Sequence, residues 1–161
     1  MEYAYFNPNP AQRNVGDCTV RAISKALDQS WETSYLGIAM EGLLLFDMPS
    51  ANHVLGEYLK RKGFHRELAP DGITVREFAN EYPHGTYILA LSGHVVCIKN
   101  GTLFDSWDSS NISIHAPRVG SDSKTAQILL EILSHLNSFA PSEKKKIPFH
   151  RKEQGKFIEI F

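Results

Sequence analysis

The stretch from Gly85 to Asp108, "GTYILALSGHVVCIKNGTLFDSWD", decides the fold class. It holds three short runs rich in β-branched and aromatic residues, interrupted at Ser92-Gly93 and at Asn100-Gly101. An Asn-Gly pair between apolar runs is a strong hairpin signal, because both residues tolerate the positive φ of a tight type I′ turn. The chain before this stretch has a different period. In "NVGDCTVRAIS", Asp17 is expected to cap a helix that begins at Cys18, and Val20, Ile23 and Leu27 recur at helical spacing. A second helix is expected from about Ser30 to Phe46, with Tyr35, Leu36, Ala39, Met40 and Leu43 as its apolar stripe. A third runs from about Ser50 to Lys62 and ends at Gly63. "GITVREFANEYP" gives a short helix between a Thr74 cap and the Pro83 stop.

After the strands, "NISIHAPRV" suggests a further strand, and Ser123 to Phe139 reads as a long amphipathic helix ended by Pro141. "KFIEIF" closes the chain as an edge strand. "NPNP" near the start reads as turn or extended chain, since each proline pushes its predecessor out of the α region. Helices first, strands second and one late helix imply an α+β fold. The 161 residues form one expected domain, 1–161, with a 42% hydrophobic fraction sufficient for a real core.

Composition excludes several classes. The net charge of −1 argues against a general nucleic-acid binder. The charge is uneven: residues 143–161 carry six Lys/Arg against three Asp/Glu, and the "EKKK" run there reads as a solvated face. Two cysteines make no disulfide framework and point to a reducing compartment. "MEYAYFNPNP" has no basic leader, and no stretch approaches the about 18 apolar residues of a membrane span, so a cytoplasmic protein without membrane contact is expected. Six histidines besides His94 are scattered without metal-ligand spacing, and there is no Walker loop or GxGxxG. No metal and no nucleotide cofactor is expected.

The chemistry gathers at Cys18. A thiol in the first turn of a helix sits at the positive end of the macrodipole, which favours thiolate. A thiolate needs an imidazole to move protons. His94, opening the strand "HVVCIKN", projects from the mouth of a sheet. The imidazole in turn needs an orienting group on its other nitrogen. Asp105 lies one strand further on, with Asp108 in reserve, and Trp107 is placed to shield the pair. Acyl transfer also needs donors for a developing oxyanion. The Cys18 backbone N–H is one, and a side-chain amide upstream, Gln12 or Asn14, is the second. Cys97, inside an apolar strand, reads as core. Trp31 reads as packing, and Arg21 as a surface or ion-pairing residue.

The order Gln12, Cys18 at a helix start, His94 opening a strand and Asp105 on the next strand resembles the papain-like cysteine peptidase superfamily. "GDCTVRAIS" is similar to the nucleophile segment of ovarian-tumour-type deubiquitinases, and "GHVVCIKNGTLFDSW" to the His–strand–turn–Asp segment of compact bacterial and phage members. The resemblance implies N-terminal helices packed on a small antiparallel sheet, with a late C-terminal helix. It implies Cys18 as nucleophile, His94 as general base and acid, Asp105 as orienter and Gln12 as oxyanion donor. The implied reaction is hydrolysis of a peptide or isopeptide bond in a protein or peptide substrate. Two other readings fit the same residues: a catalytically silent protein-binding module, and a thiol-dependent acyltransferase.

Overall fold

The computed structural model describes residues 1–68, 72–114 and 155–159. The elements in chain order are β1 (Glu2–Tyr5), α1 (Cys18–Ala26), α2 (Trp31–Leu45), α3 (Asn52–Arg61), β2 (Phe64–Leu68), α4 (Val75–Glu81), β3 (Thr86–Leu91), β4 (His94–Lys99), β5 (Thr102–Asp105) and β6 (Gly155–Glu159). The fold is α+β.

The centre of the sheet follows from the opening stretch. β3 and β4 pair antiparallel with Leu91 opposite His94, and β4 and β5 pair antiparallel with Lys99 opposite Thr102. The β4–β5 turn holds Asn100 at φ 51° and Gly101 at φ 74°, the two positive angles the sequence called for. Side chains alternate across the strands. Ile88, Ala90, Val95 and Cys97 face a core built with Val20, Ile23, Ile38, Val54, Leu55 and Leu59 of α1 to α3. Tyr87, Leu89, Leu91, Val96 and Ile98 face the opposite core, with Val75, Phe78 and Ala79 of α4. Burial on both faces explains why β3 and β4 read as nearly unbroken apolar runs.

The sheet is larger and more mixed than the expected small antiparallel one. Its order is β1-β5-β4-β3-β6-β2. β1 joins β5 in parallel, and β6 lies parallel to both β3 and β2. "KFIEIF" therefore supplies an interior strand rather than an edge. The segment "NISIHAPRV" contributes an isolated bridge, Ser113 to Thr74, in place of a strand among the described residues. The expected helix from Ser123 to Phe139 lies outside the described residues.

α2 corrects a second expectation. Tyr35, Leu36, Met40 and Leu43 are exposed, while Ser34, Ile38, Glu41 and Gly42 are buried. Small residues set this rotation. A Cβ at Gly37 would stand 2.7 Å from the Tyr58 ring of α3, and one at Gly42 would stand 2.7 Å from the Asp47 carbonyl. The buried Glu41 carboxylate is held by Arg61 of α3 at 3.0 Å. Close approach and a paired charge thus outweigh the apolar stripe. The caps at Ser30 and Thr74 form as read: Ser30 Oγ accepts from Thr33 N–H at 3.2 Å, and Thr74 with Glu77 makes a reciprocal capping box. Among the described residues no helix is long and apolar enough to cross a membrane.

Candidate active site

α1 begins at Cys18, and packing of Val20 and Ile23 against Val95 and Cys97 fixes its N-terminus beside the mouth of β4. His94 is the first residue of β4 and Asp105 the last of β5. Cys97 pairs with Phe104, so one further step of the register sets Asp105 diagonal to His94. The two meet: His94 Nε2 lies 2.6 Å from Asp105 Oδ2. Asp105 is 2% exposed and is held on all sides. Ser109 Oγ donates to its Oδ2 at 2.7 Å, the Ser106 N–H donates to its Oδ1 at 2.7 Å, and Arg21 Nη2 stands 3.8 Å from Oδ1. Asp108 is not part of this set. It is exposed, and its Oδ1 accepts from the Ser110 N–H at 3.0 Å.

With Nε2 engaged by Asp105, Nδ1 is the ring nitrogen left for the thiol. Burial pushes the Cys18 thiol up. A hydrogen bond with His94, another with the Val95 backbone and the positive charges of His94 and Arg21 outweigh burial, and together they hold the thiol below its ordinary range. Burial alone would lower His94. Its hydrogen bonds to Asp105 and Cys18, with the negative charges of both, raise it to about 9 instead. A thiol held low and an imidazole held high on one hydrogen bond favour the thiolate–imidazolium form of the pair over the neutral one. Trp107 lies against this pair, its ring centroid 5.4 Å from that of His94.

Cys97 is fully buried, and burial pushes its thiol up to about 12. Both cysteines are free. No cluster of three or more His, Cys, Asp or Glu suited to a metal occurs among the described residues.

Gln12 does not join the site. Its backbone takes φ 51°, and its Nε2 donates to the carbonyls of Asn7 at 3.2 Å and Asn9 at 3.0 Å. Both amide protons are thereby used inside the loop. Asn14, the other amide considered, is exposed. The backbone donors that the fold leaves beside Cys18 are the first-turn N–H groups of α1, which have no acceptor within the helix.

Sequence reasoning gave Asp17 and Trp31 other roles, left Arg21 between a surface and an ion-pairing role, and missed Ser109. Asp17 stands at the N-cap position, but its side chain makes no capping bond. It pairs with Arg21 and accepts from Trp31 Nε1 at 2.9 Å. Arg21 is buried rather than on the surface, and Trp31 is a donor as well as a packing ring, stacked on Tyr35 at 5.0 Å. Asp17 and Arg21 at i, i+4 were the available signal. Ser109 left none, since a serine in a loop has many uses.

Two hollows flank the loop that leads into Cys18. One of about 150 Å³ is lined by Gly16, Thr19, Val20, Tyr35, Ile38 and Pro49. The other, about 480 Å³, lies over Pro10, Ala11, Val15, Trp31 and Tyr35. Comparisons of the chain with protein-family models, with curated proteins and with solved structures found no match.

Proposed function

We propose that the protein is a papain-like cysteine peptidase that hydrolyses a peptide or isopeptide bond through a Cys18 thioester. One observation carries this reading: a single imidazole bonds a buried carboxylate through Nε2 and a helix-head thiol through its other side. That is the arrangement a nucleophile, its base and an orienting acid require.

The steps follow from the groups in place. The Cys18 thiolate attacks the substrate carbonyl, and its charge passes to the oxygen, which the first-turn amides of α1 stabilise. The C–N bond breaks as the imidazolium of His94 gives its proton to the leaving amine. Neutral His94 then takes a proton from water as the water oxygen attacks the thioester. The C–S bond breaks, the acid is released and the thiolate–imidazolium pair is restored. Asp105 keeps the imidazole oriented throughout. The substrate chain would lie along the mouth of the sheet, beside the apolar hollows before Cys18.

The pH dependence has a defined sign. Activity rises as Cys18 ionises on the acid side and falls as His94 loses its proton near pH 9. The test uses a mixed library of peptides and of lysine-ε-linked isopeptides in ¹⁸O-water. New carboxyl ends carrying ¹⁸O, absent with Cys18→Ala, support the peptidase. Products appearing only when an amine such as hydroxylamine is added would replace hydrolysis with acyl transfer. No Cys18-dependent product in either condition would favour the binding module.

A further inference from the structure

Asp17 poses a problem for the site. It adjoins Cys18 in the chain, and a carboxylate beside a thiol opposes thiolate formation. An aspartate at an N-cap also normally bonds the first-turn amides. Those are the amides that an oxyanion would use. The structure turns Asp17 away from them. Its Oδ1 is taken by Arg21 Nη1, and its Oδ2 accepts from Trp31 Nε1 at 2.9 Å and from Asn9 Nδ2 at 3.3 Å. The guanidinium that holds it also reaches across to β5, where Nη2 stands 3.8 Å from Asp105 Oδ1. Arg21 is 5% exposed, Asp17 7% and Asp105 2%, so water screens little of this. Arg21 Nε has no partner, although it is buried. A buried donor left unbonded is costly. Here Nη1 donates to Asp17 and, at 3.4 Å, to the Val15 carbonyl, Nη2 faces Asp105, and Nε is what that geometry leaves over.

Resting on the peptidase reading above, we propose that Arg21 is a positioning residue of the site. Its buried guanidinium spans Asp17 and Asp105, cancels the charge of the first beside Cys18 and fixes the second behind His94. The helix is the ruler. Arg21 is one turn after Cys18 and four residues after Asp17, so one side chain reaches both its own N-cap and the neighbouring strand. Lysine, a single point charge, cannot span the two in the same way. The titratable and charged groups around the pair are Asp17 at the head of α1, His94 of β4, Asp105 of β5 and Tyr3 of β1, whose hydroxyl donates to the Asp105 carbonyl at 3.4 Å. α2 contributes Trp31, which does not titrate, and Glu41, which is bound by Arg61 of α3.

The test is the pH dependence of Cys18 alkylation by iodoacetamide, read by mass spectrometry on the full chain. It compares wild type with Arg21→Met, Arg21→Lys, Asp17→Asn and the double variant Arg21→Met/Asp17→Asn, with circular dichroism to establish folding. The midpoint of the acid limb should rise by about one pH unit in Arg21→Met and by less in Arg21→Lys, and should fall in Asp17→Asn. The double variant, which removes one charge of each sign, should return toward wild type and keeps the test open if Arg21→Met does not fold. A merely structural arginine would not move the limb in opposite directions. A wild-type limb well below an ordinary thiol that none of the folded variants shifts would overturn the inference alone. A wild-type Cys18 that titrates like an ordinary thiol would overturn the peptidase reading, and the inference with it.

Discussion

Cys97 sits three residues after His94 on β4, and Cys18 sits beside His94 at the head of α1. The two thiols share a strand neighbourhood and have opposite characters. Cys97 lies in an apolar core, and burial pushes it up to about 12. Cys18 is only half-buried, meets an imidazole and the end of a helix, and falls below its ordinary range. Both feel burial as their largest influence. What separates them is the set of compensating groups, which the mouth of the sheet offers and its middle does not. A thiol becomes reactive where secondary structures end, because termini leave backbone N–H groups and side chains free to converge.

The largest test of this contrast removes the partners of Cys18. Cys18→Ala and His94→Ala should each reduce Cys18-dependent hydrolysis about 10⁴-fold or more, as loss of a nucleophile or its base does elsewhere. Asp105→Asn should cost about 10³- to 10⁴-fold. Its alkaline limb should also move down from about pH 9, because the carboxylate is what holds the His94 proton. An unchanged alkaline limb in Asp105→Asn would separate the aspartate from the imidazole.

Cys97 supplies the opposite arm. Cys97→Ser places a hydroxyl in the apolar core and should destabilise the fold by about 1–3 kcal/mol, measured by urea denaturation, while Cys18 alkylation stays at the wild-type rate. The native thiol has a pH signature too. Above about pH 8.5 the unfolded thiol ionises, while the folded one keeps its proton to about 12. The folded state then binds more protons, so Cys97 makes stability fall as pH rises through that window. Cys97→Ser should flatten this part of the slope. The smallest effect lies furthest from the site. Thr74→Ala breaks the α4 capping box and should cost about 1 kcal/mol without altering either thiol.

How much of this was readable in advance depended on range. Cys18 as the first residue of α1, the Asn100-Gly101 turn, and the Ser30 and Thr74 caps are local, and each follows from a few neighbouring residues. The His94–Asp105 pair was legible because one hairpin register relates the two strands. Long-range pairing was not legible. β1 is four residues of "EYAY" that join β5 across about 100 positions of chain, and β6 inserts between β3 and β2 from the far end of the sequence. Nothing in either segment encodes its partner. α2 misled for another reason. Its apolar residues are more numerous than one face can bury, and Gly37, Gly42 and the Glu41–Arg61 pair chose the buried side. Gln12 failed because spacing along a chain does not say which way a loop turns, and this one closes on its own carbonyls. Asp17 reads as a helix cap and Arg21 as a surface or ion-pairing residue, because the sequence does not show that β5 and Trp31 close over them.

The most direct measurement of the central claim is the alkylation of both cysteines by iodoacetamide at about pH 6, followed by mass spectrometry in wild type and in His94→Ala. An ordinary thiol is almost wholly protonated there. The account predicts fast labelling of Cys18, very slow labelling of Cys97 and loss of the fast phase in His94→Ala. Equal, slow labelling of the two thiols in a folded wild-type protein would contradict it.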